Sequence, residues 1–218
     1  MSESENHSQA IKEIRDMMER SSRFISLSGL SGIAVGILAL LGAAAAYVYL
    51  KMGIFDRDYY EAAFSVRGLN LDFITFFLAD ALTVLVLSIF GAIFFTVRNA
   101  RKKQLPVWSK PTKLLLLNLF IPLAVGGIFC LILLYHGLIE LVAPATLLFY
   151  GLALINASKY TFRDIFLLGV VESFLGLLAC IFVGYGLLFW ALGFGVLHIV
   201  YGFIMYFKYE SCKTSSPA

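Results

Sequence analysis

The sequence predicts an all-α polytopic membrane protein, a bundle of six transmembrane helices preceded by an amphipathic cytoplasmic helix. Three observations carry that expectation. Of the 218 residues, 60% are hydrophobic and only 14% are charged, against about 25% charged in soluble domains. The apolar runs are continuous and lack the alternation with polar positions that marks amphipathic helices and half-buried strands. Several runs also reach the roughly 20 residues that a helix needs to cross a hydrocarbon core of about 30 Å.

Residues 1–8 are polar, and from Gln9 the pattern turns helical. Ile11, Ile14, Met18 and Ile25 recur at spacings of three, four and seven, which makes one apolar stripe. Asp16 with Arg20, and Glu19 with Arg23, are acid-then-base pairs four apart, the favourable order on a helix. Residues 1–23 are therefore expected to form a cytoplasmic segment whose helix lies on the membrane surface or docks a partner.

Residues 24–207 are expected to form the membrane domain, with spans Phe24–Leu50, Phe73–Val97, Leu114–His136, Leu138–Asn156, Ile165–Leu187 and Leu188–Phe207. The runs 114–156 and 165–207 are each twice the length of one span. Each must fold back, because irregular backbone facing lipid leaves polar groups unsatisfied. Gly137 is the natural break in the first run, and Gly184-Tyr185-Gly186 marks the neighbourhood of the second. Residues 208–218 form a short tail.

Charge orients this arrangement. Six spans place fourteen of the Lys and Arg residues on the side of the termini and only Lys51, Arg57 and Arg67 on the other. The positive-inside rule assigns the richer side to the cytoplasm, so both termini are expected inside. The most basic stretch is "RNARKKQLPVWSKPTK", where Pro106 and Pro111 are expected to block a continuous helix. Arg98, Arg101, Lys102, Lys103, Lys110 and Lys113 are expected to contact anionic headgroups of the bilayer, with Trp108 as interfacial anchor. Sixteen residues between spans cannot supply a folded basic module, so nucleic acid is excluded as a partner. The opposite loop, Lys51 to Asp72, carries four acidic residues and needs no function beyond connection. Its flanking tyrosines suit an aromatic belt.

Rows of small residues point to close helix packing. Ser28, Gly32 and Gly36 are four apart on the first span. Gly169 and Gly176 share a face with Glu172 and Ser173, and Gly195 and Gly202 share one with His198. Packing within one chain is the primary reading of these rows, with a homodimer as the alternative.

Ionisable residues inside spans are costly and mark functional sites by default. The candidates are Glu172, His198, Asp80, Glu140 and His136. A helix rise of about 1.5 Å per residue places Asp80 and Glu140 roughly 24–25 Å above the cytoplasmic end. Glu172 and His198 come roughly 10 and 13 Å above it. Two tiers are thus expected: His136, Glu140 and Asp80 outside, Glu172 and His198 inside. A tight hairpin of spans five and six should bring the inner pair together. No zinc-protease, P-loop, nucleophile-elbow or CxxC signature occurs in the sequence. Neither metal nor cofactor is expected: Gly137 breaks the helix between His136 and Glu140, which disfavours an i,i+4 metal site, and His136 and His198 differ by roughly 20 Å in depth, which disfavours bis-histidine haem ligation.

At "RSSRFISLSGLSG", "APATLLFYGLALINASKYTF" and "GFGVLHIVYGFIMYFKYE" the chain resembles an uncharacterised family of small bacterial polytopic membrane proteins. The resemblance covers nearly the whole chain and implies membrane residence, but no activity and no site residues. Three functions remain open from the residues: a small transporter or channel for a proton, ion or small solute; a sensor or accessory subunit that binds a protein partner; and an intramembrane enzyme on a lipid-soluble substrate.

Overall fold

The computed structural model describes residues 27–53, 55–56, 59–65 and 68–211. The amphipathic helix expected within residues 1–23 lies outside them. Six helices follow: α1 Gly29–Leu50, α2 Leu71–Lys102, α3 Lys110–Tyr135, α4 Ile139–Tyr160, α5 Arg163–Ile181 and α6 Val183–Tyr209. All six are long and apolar enough to cross a bilayer, and the shortest has 19 residues, about 28 Å at 1.5 Å per residue. The chain is a six-helix membrane protein. The α1–α2 connection holds a minimal antiparallel hairpin, β1 Phe64–Ser65 and β2 Gly68–Leu69, with Phe64 opposite Leu69.

Several boundaries differ from the apolar runs for local reasons. Helix α2 runs on to Lys102 and stops where Gln104 adopts φ +52°. Arg98, Arg101 and Lys102 therefore ride on the helix, not in a loop. At its other end Asn70 accepts hydrogen bonds from the Asp72 and Phe73 amides, satisfying donors that the first turn leaves free. Helix α3 starts four residues earlier than its apolar run because Ser109 and Thr112 form a capping box. Pro111 does not interrupt this helix. It sits in the first turn, where its missing N–H costs nothing.

Gly137, at φ +72°, makes the turn between α3 and α4 that the doubled run requires. The second doubled run turns earlier than the 187/188 boundary. Phe182 leaves helical geometry at φ −102°, ψ 61°, and a 3₁₀ turn over Val183–Tyr185 already opens α6. Residues Gly186–Trp190 thus belong to α6.

The helices pack as two groups of three. Helix α1 lies between α2 and α6, and α4 lies between α3 and α5, with α6 joining the groups by contacts to α4 and α5. Helix α6 packs chiefly on α1, so α5 and α6 are a less intimate hairpin than their short connection suggests. The small-residue rows lie at these crossings. A Cβ on Gly36 would come within 2.6 Å of the Gly195 carbonyl oxygen, and one on Gly32 within 3.1 Å of the Gly202 Cα. A Cβ on Gly169 would meet the Gly151 carbonyl oxygen at 2.7 Å, and one on Gly176 the Leu148 nitrogen at 2.8 Å. All three rows thus serve contacts within the chain, where small residues let backbones touch.

Polar contacts at the end that carries the termini, here termed the basic end, tie the ends of helices together. The Glu210 carboxylate accepts from the Gly29 amide at 2.5 Å and from the Ser28 hydroxyl at 3.3 Å, so the end of α6 caps the start of α1. The Asn99 amide of α2 donates to the Leu27 carbonyl at 3.0 Å. At the opposite end an apolar cluster of Ala46, Ala63, Phe73, Ile139 and Leu187 seals the bundle. The Tyr49 ring stacks on Phe76 with centroids 3.8 Å apart.

Candidate functional site

The side chains fully enclosed by the bundle are small or apolar with one prominent exception. Leu147, Glu172 and Pro144 are the three largest fully buried side chains, and Glu172 is 0% exposed. Glu172 enters from α5 between Gly169 and Gly176, where α5 lies against α4. It meets α6 at Gly193: a Cβ there would stand 2.6 Å from Glu172 Oε2. The space occupied by the carboxylate exists because residue 193 has no side chain.

Gly193 lies in a π-helical stretch of α6, Ala191–Leu197, between α-helical Gly186–Trp190 and His198–Tyr209. The wider turn shifts hydrogen bonding by one residue, a departure that recurs at functional sites. Its consequence here is local. The Gly193 carbonyl lies five residues before His198 and accepts from His198 Nδ1 at 3.0 Å. The same Nδ1 stands 3.4 Å from Glu172 Oε1. On the far side of the ring, Nε2 is 2.7 Å from the Tyr150 hydroxyl of α4.

These partners determine the tautomer. Nδ1 faces two oxygen acceptors, a carbonyl and a carboxylate, so it carries the hydrogen. In the neutral ring Nε2 is then the acceptor and the Tyr150 hydroxyl donates to it. Glu172 is less completely served. Neither of its oxygens has a hydrogen-bond partner among the described residues; Oε1 faces His198 Nδ1 at 3.4 Å. Tyr150, His198 and Glu172 thus form a chain across α4, α6 and α5, walled by Phe194, whose ring centroid lies 5.0 Å from that of Tyr150. Chemically, the chain can hold, release and pass on a proton.

The inner pair thus meets, at 3.4 Å; the outer tier does not assemble. Asp80 sits on α2 against α1, where a Cβ on Gly42 would meet its carboxylate oxygens at 3.4 and 3.5 Å. Glu140 lies in the 3₁₀ turn that opens α4, in the other helix group, and His136 caps the end of α3. Asp80 is nine residues inside α2, about 14 Å from its end, whereas Glu140 is at the rim. They stay apart because Asp80 is on a helix packed against α1, whereas Glu140 opens the helix packed between α3 and α5. Among the described residues neither carboxylate makes a hydrogen bond or ion pair with the other or with His136. No group of three His, Cys, Asp or Glu able to hold a metal occurs among the described residues.

Of the basic residues assigned to headgroups, Arg98, Arg101, Lys102, Lys110 and Lys113 are exposed and Lys103 is half-buried. Trp108 is 68% exposed, as an interfacial anchor requires.

Two polar features escaped the sequence reading. One is Tyr150, the partner of His198 Nε2. Counted from the basic end of α4 it lies about 15 Å deep, close to His198 at about 16 Å, a coincidence that rise arithmetic could have exposed. The other is a cluster at the basic end of α5 and α6, where Asp164 accepts from Lys208 at 2.9 Å and from the Tyr209 hydroxyl at 2.6 Å. No protein-family model, curated protein or solved structure matches the chain.

Proposed function

We propose that this protein is a small transporter or channel of the bacterial inner membrane, moving a proton, ion or small solute, with Glu172 and His198 as its central site. The observation that carries this reading is Glu172 itself, a carboxylate enclosed among membrane-spanning helices with no hydrogen-bond partner for either oxygen among the described residues. An acidic side chain at the centre of a span costs about 3 kcal/mol to insert. A purely structural role is poorly served by a group left so incompletely satisfied, since apolar residues of like volume fill such a space at lower cost. Use as a binding group for a proton or cation accounts for it.

The split of basic residues supports cytoplasmic placement of the basic end and of both termini. The resemblance to uncharacterised bacterial polytopic proteins agrees with that membrane. The enzyme reading predicts a pocket open sideways to lipid beside Glu172, a side chain that is 0% exposed. The accessory reading rests on residues 1–23, which lie outside the described residues.

The test is flux through the purified full chain in proteoliposomes, driven by gradients of protons, of alkali cations or of small solutes. Glu172→Gln and His198→Ala are expected to abolish the flux while each variant remains folded by gel filtration and circular dichroism. Absence of flux for every gradient, or full flux through Glu172→Gln, contradicts the proposal.

A further inference from the structure

We infer that the transported or coupling species is a proton, and that it reaches Glu172 from the basic end along Asp164, Tyr201, Tyr150 and His198. This rests on the transport reading and narrows it. The key residue is Tyr201, one helical turn beyond His198 on α6. Its hydroxyl is buried and has no hydrogen-bond partner among the described residues, although buried hydroxyls are rarely left so. Tyr201, Tyr150 and Phe162 all pack against the same apolar cluster of Leu154, Ile165 and Leu168. Phe162 in turn stacks on Tyr209, with ring centroids 4.1 Å apart, and the Tyr209 hydroxyl donates to Asp164.

Along α6, Tyr201 lies between His198 and the Lys208–Tyr209 pair, each of which belongs to a hydrogen-bond cluster. Below it, Asp164 is held by the Lys208 ammonium and the Tyr209 hydroxyl, and Lys208 is exposed to the aqueous side. Above it, Tyr150 donates to His198 Nε2. These groups come from three helices: Tyr150 from α4, Asp164 and Glu172 from α5, and His198, Tyr201, Lys208 and Tyr209 from α6. A tyrosine hydroxyl both accepts and donates, so it can pass a proton without keeping it. A metal cation needs several convergent oxygens, which Tyr201 does not provide.

The transfer balances in protons. One proton enters at Asp164 and is passed through Tyr201 to the Tyr150 oxygen as Tyr150 gives its own to His198 Nε2. The imidazole releases its Nδ1 hydrogen to Glu172. The end state has a protonated Glu172 donating to Nδ1, and an Nε2–H donating to Tyr150. The Gly193 carbonyl loses its donor in that state, which favours return and keeps the site reversible.

The test uses the full chain in proteoliposomes with a trapped pH dye, together with hydrogen–deuterium exchange at the Glu172 carboxyl followed by infrared spectroscopy. Tyr201→Phe keeps the ring and removes only the hydroxyl. It is expected to slow both proton flux and carboxyl exchange by at least about tenfold, and Asp164→Asn is expected to do the same. Tyr209→Phe, which removes a hydroxyl from the entry cluster, gives a smaller loss and serves if Tyr201→Phe does not fold. Wild-type rates in folded Tyr201→Phe, with flux abolished in Glu172→Gln, overturn the route and leave the transport reading intact. A wild-type flux of cations or solute that moves no protons also overturns the inference alone. A wild-type protein that moves nothing removes both.

Discussion

At the scale of the residue, the arrangement around Glu172 separates a functional carboxylate from a structural one by its effect on stability. A buried ion pair that exists to hold helices together is strongly destabilised when one member is removed, by about 3–5 kcal/mol. An incompletely satisfied carboxylate behaves otherwise, because an apolar side chain of like volume avoids the desolvation cost altogether. Glu172→Leu is therefore expected to leave the thermal unfolding midpoint in detergent unchanged or to raise it, by the equivalent of about 1 kcal/mol. It should abolish flux at the same time. A drop in the midpoint on the scale of a broken ion pair would show that the carboxylate is a peg. Glu172 and His198 were legible from their spacing among glycines on adjacent spans. Tyr150 was not, because a tyrosine in an apolar run reads as ordinary packing until its hydroxyl is seen 2.7 Å from the imidazole.

At the scale of the element, glycines of one composition divide sharply by position. Gly202 lies where a Cβ would stand 2.6 Å from the Ile33 nitrogen of α1, whereas a Cβ on Gly127 of α3 meets nothing within 4 Å. Gly202→Ala is expected to destabilise the protein by about 1–3 kcal/mol through overpacking. Gly127→Ala is expected to stabilise it by up to about 1 kcal/mol through helix propensity. Thermal unfolding of both variants in one detergent checks the contrast, and equal effects would contradict the packing of α1 on α6. Gly193→Ala acts differently again, since its Cβ faces the Glu172 carboxylate. Displacement of that carboxylate should lower flux more than it lowers the unfolding midpoint. The row 195/202 was legible as a packing face; the π-helical turn at Ala191–Leu197 was not. Hydrophobic spacing averages over a single inserted residue, and an all-apolar helix carries no register to reveal one.

At the scale of the whole molecule, the number of spans and the hairpin at Gly137 follow from length and from the need to satisfy backbone groups in lipid. What composition does not specify is which helices become neighbours, because every face is apolar. That is why Asp80 and Glu140, assigned to one tier by depth alone, fall in separate helix groups. The grouping places Glu172 and His198 where α6 joins α4 and α5, so a small relative movement of the two groups changes their separation. Orientation is open to direct measurement: cysteines placed at Trp108 and at Phe55, both exposed, should label from opposite sides of sealed vesicles, with position 108 on the cytoplasmic side. Labelling of both from one side would contradict the six-span topology.

The central claim is that Glu172 changes protonation state in the folded protein. The direct measurement is an infrared difference spectrum of the full chain in lipid between acidic and alkaline pH. The account predicts a protonated-carboxyl band that is lost at high pH, is missing in Glu172→Gln and moves in His198→Ala. A spectrum in which no such band depends on Glu172 at any pH would mean that its charge is fixed, and would contradict a proton-handling site.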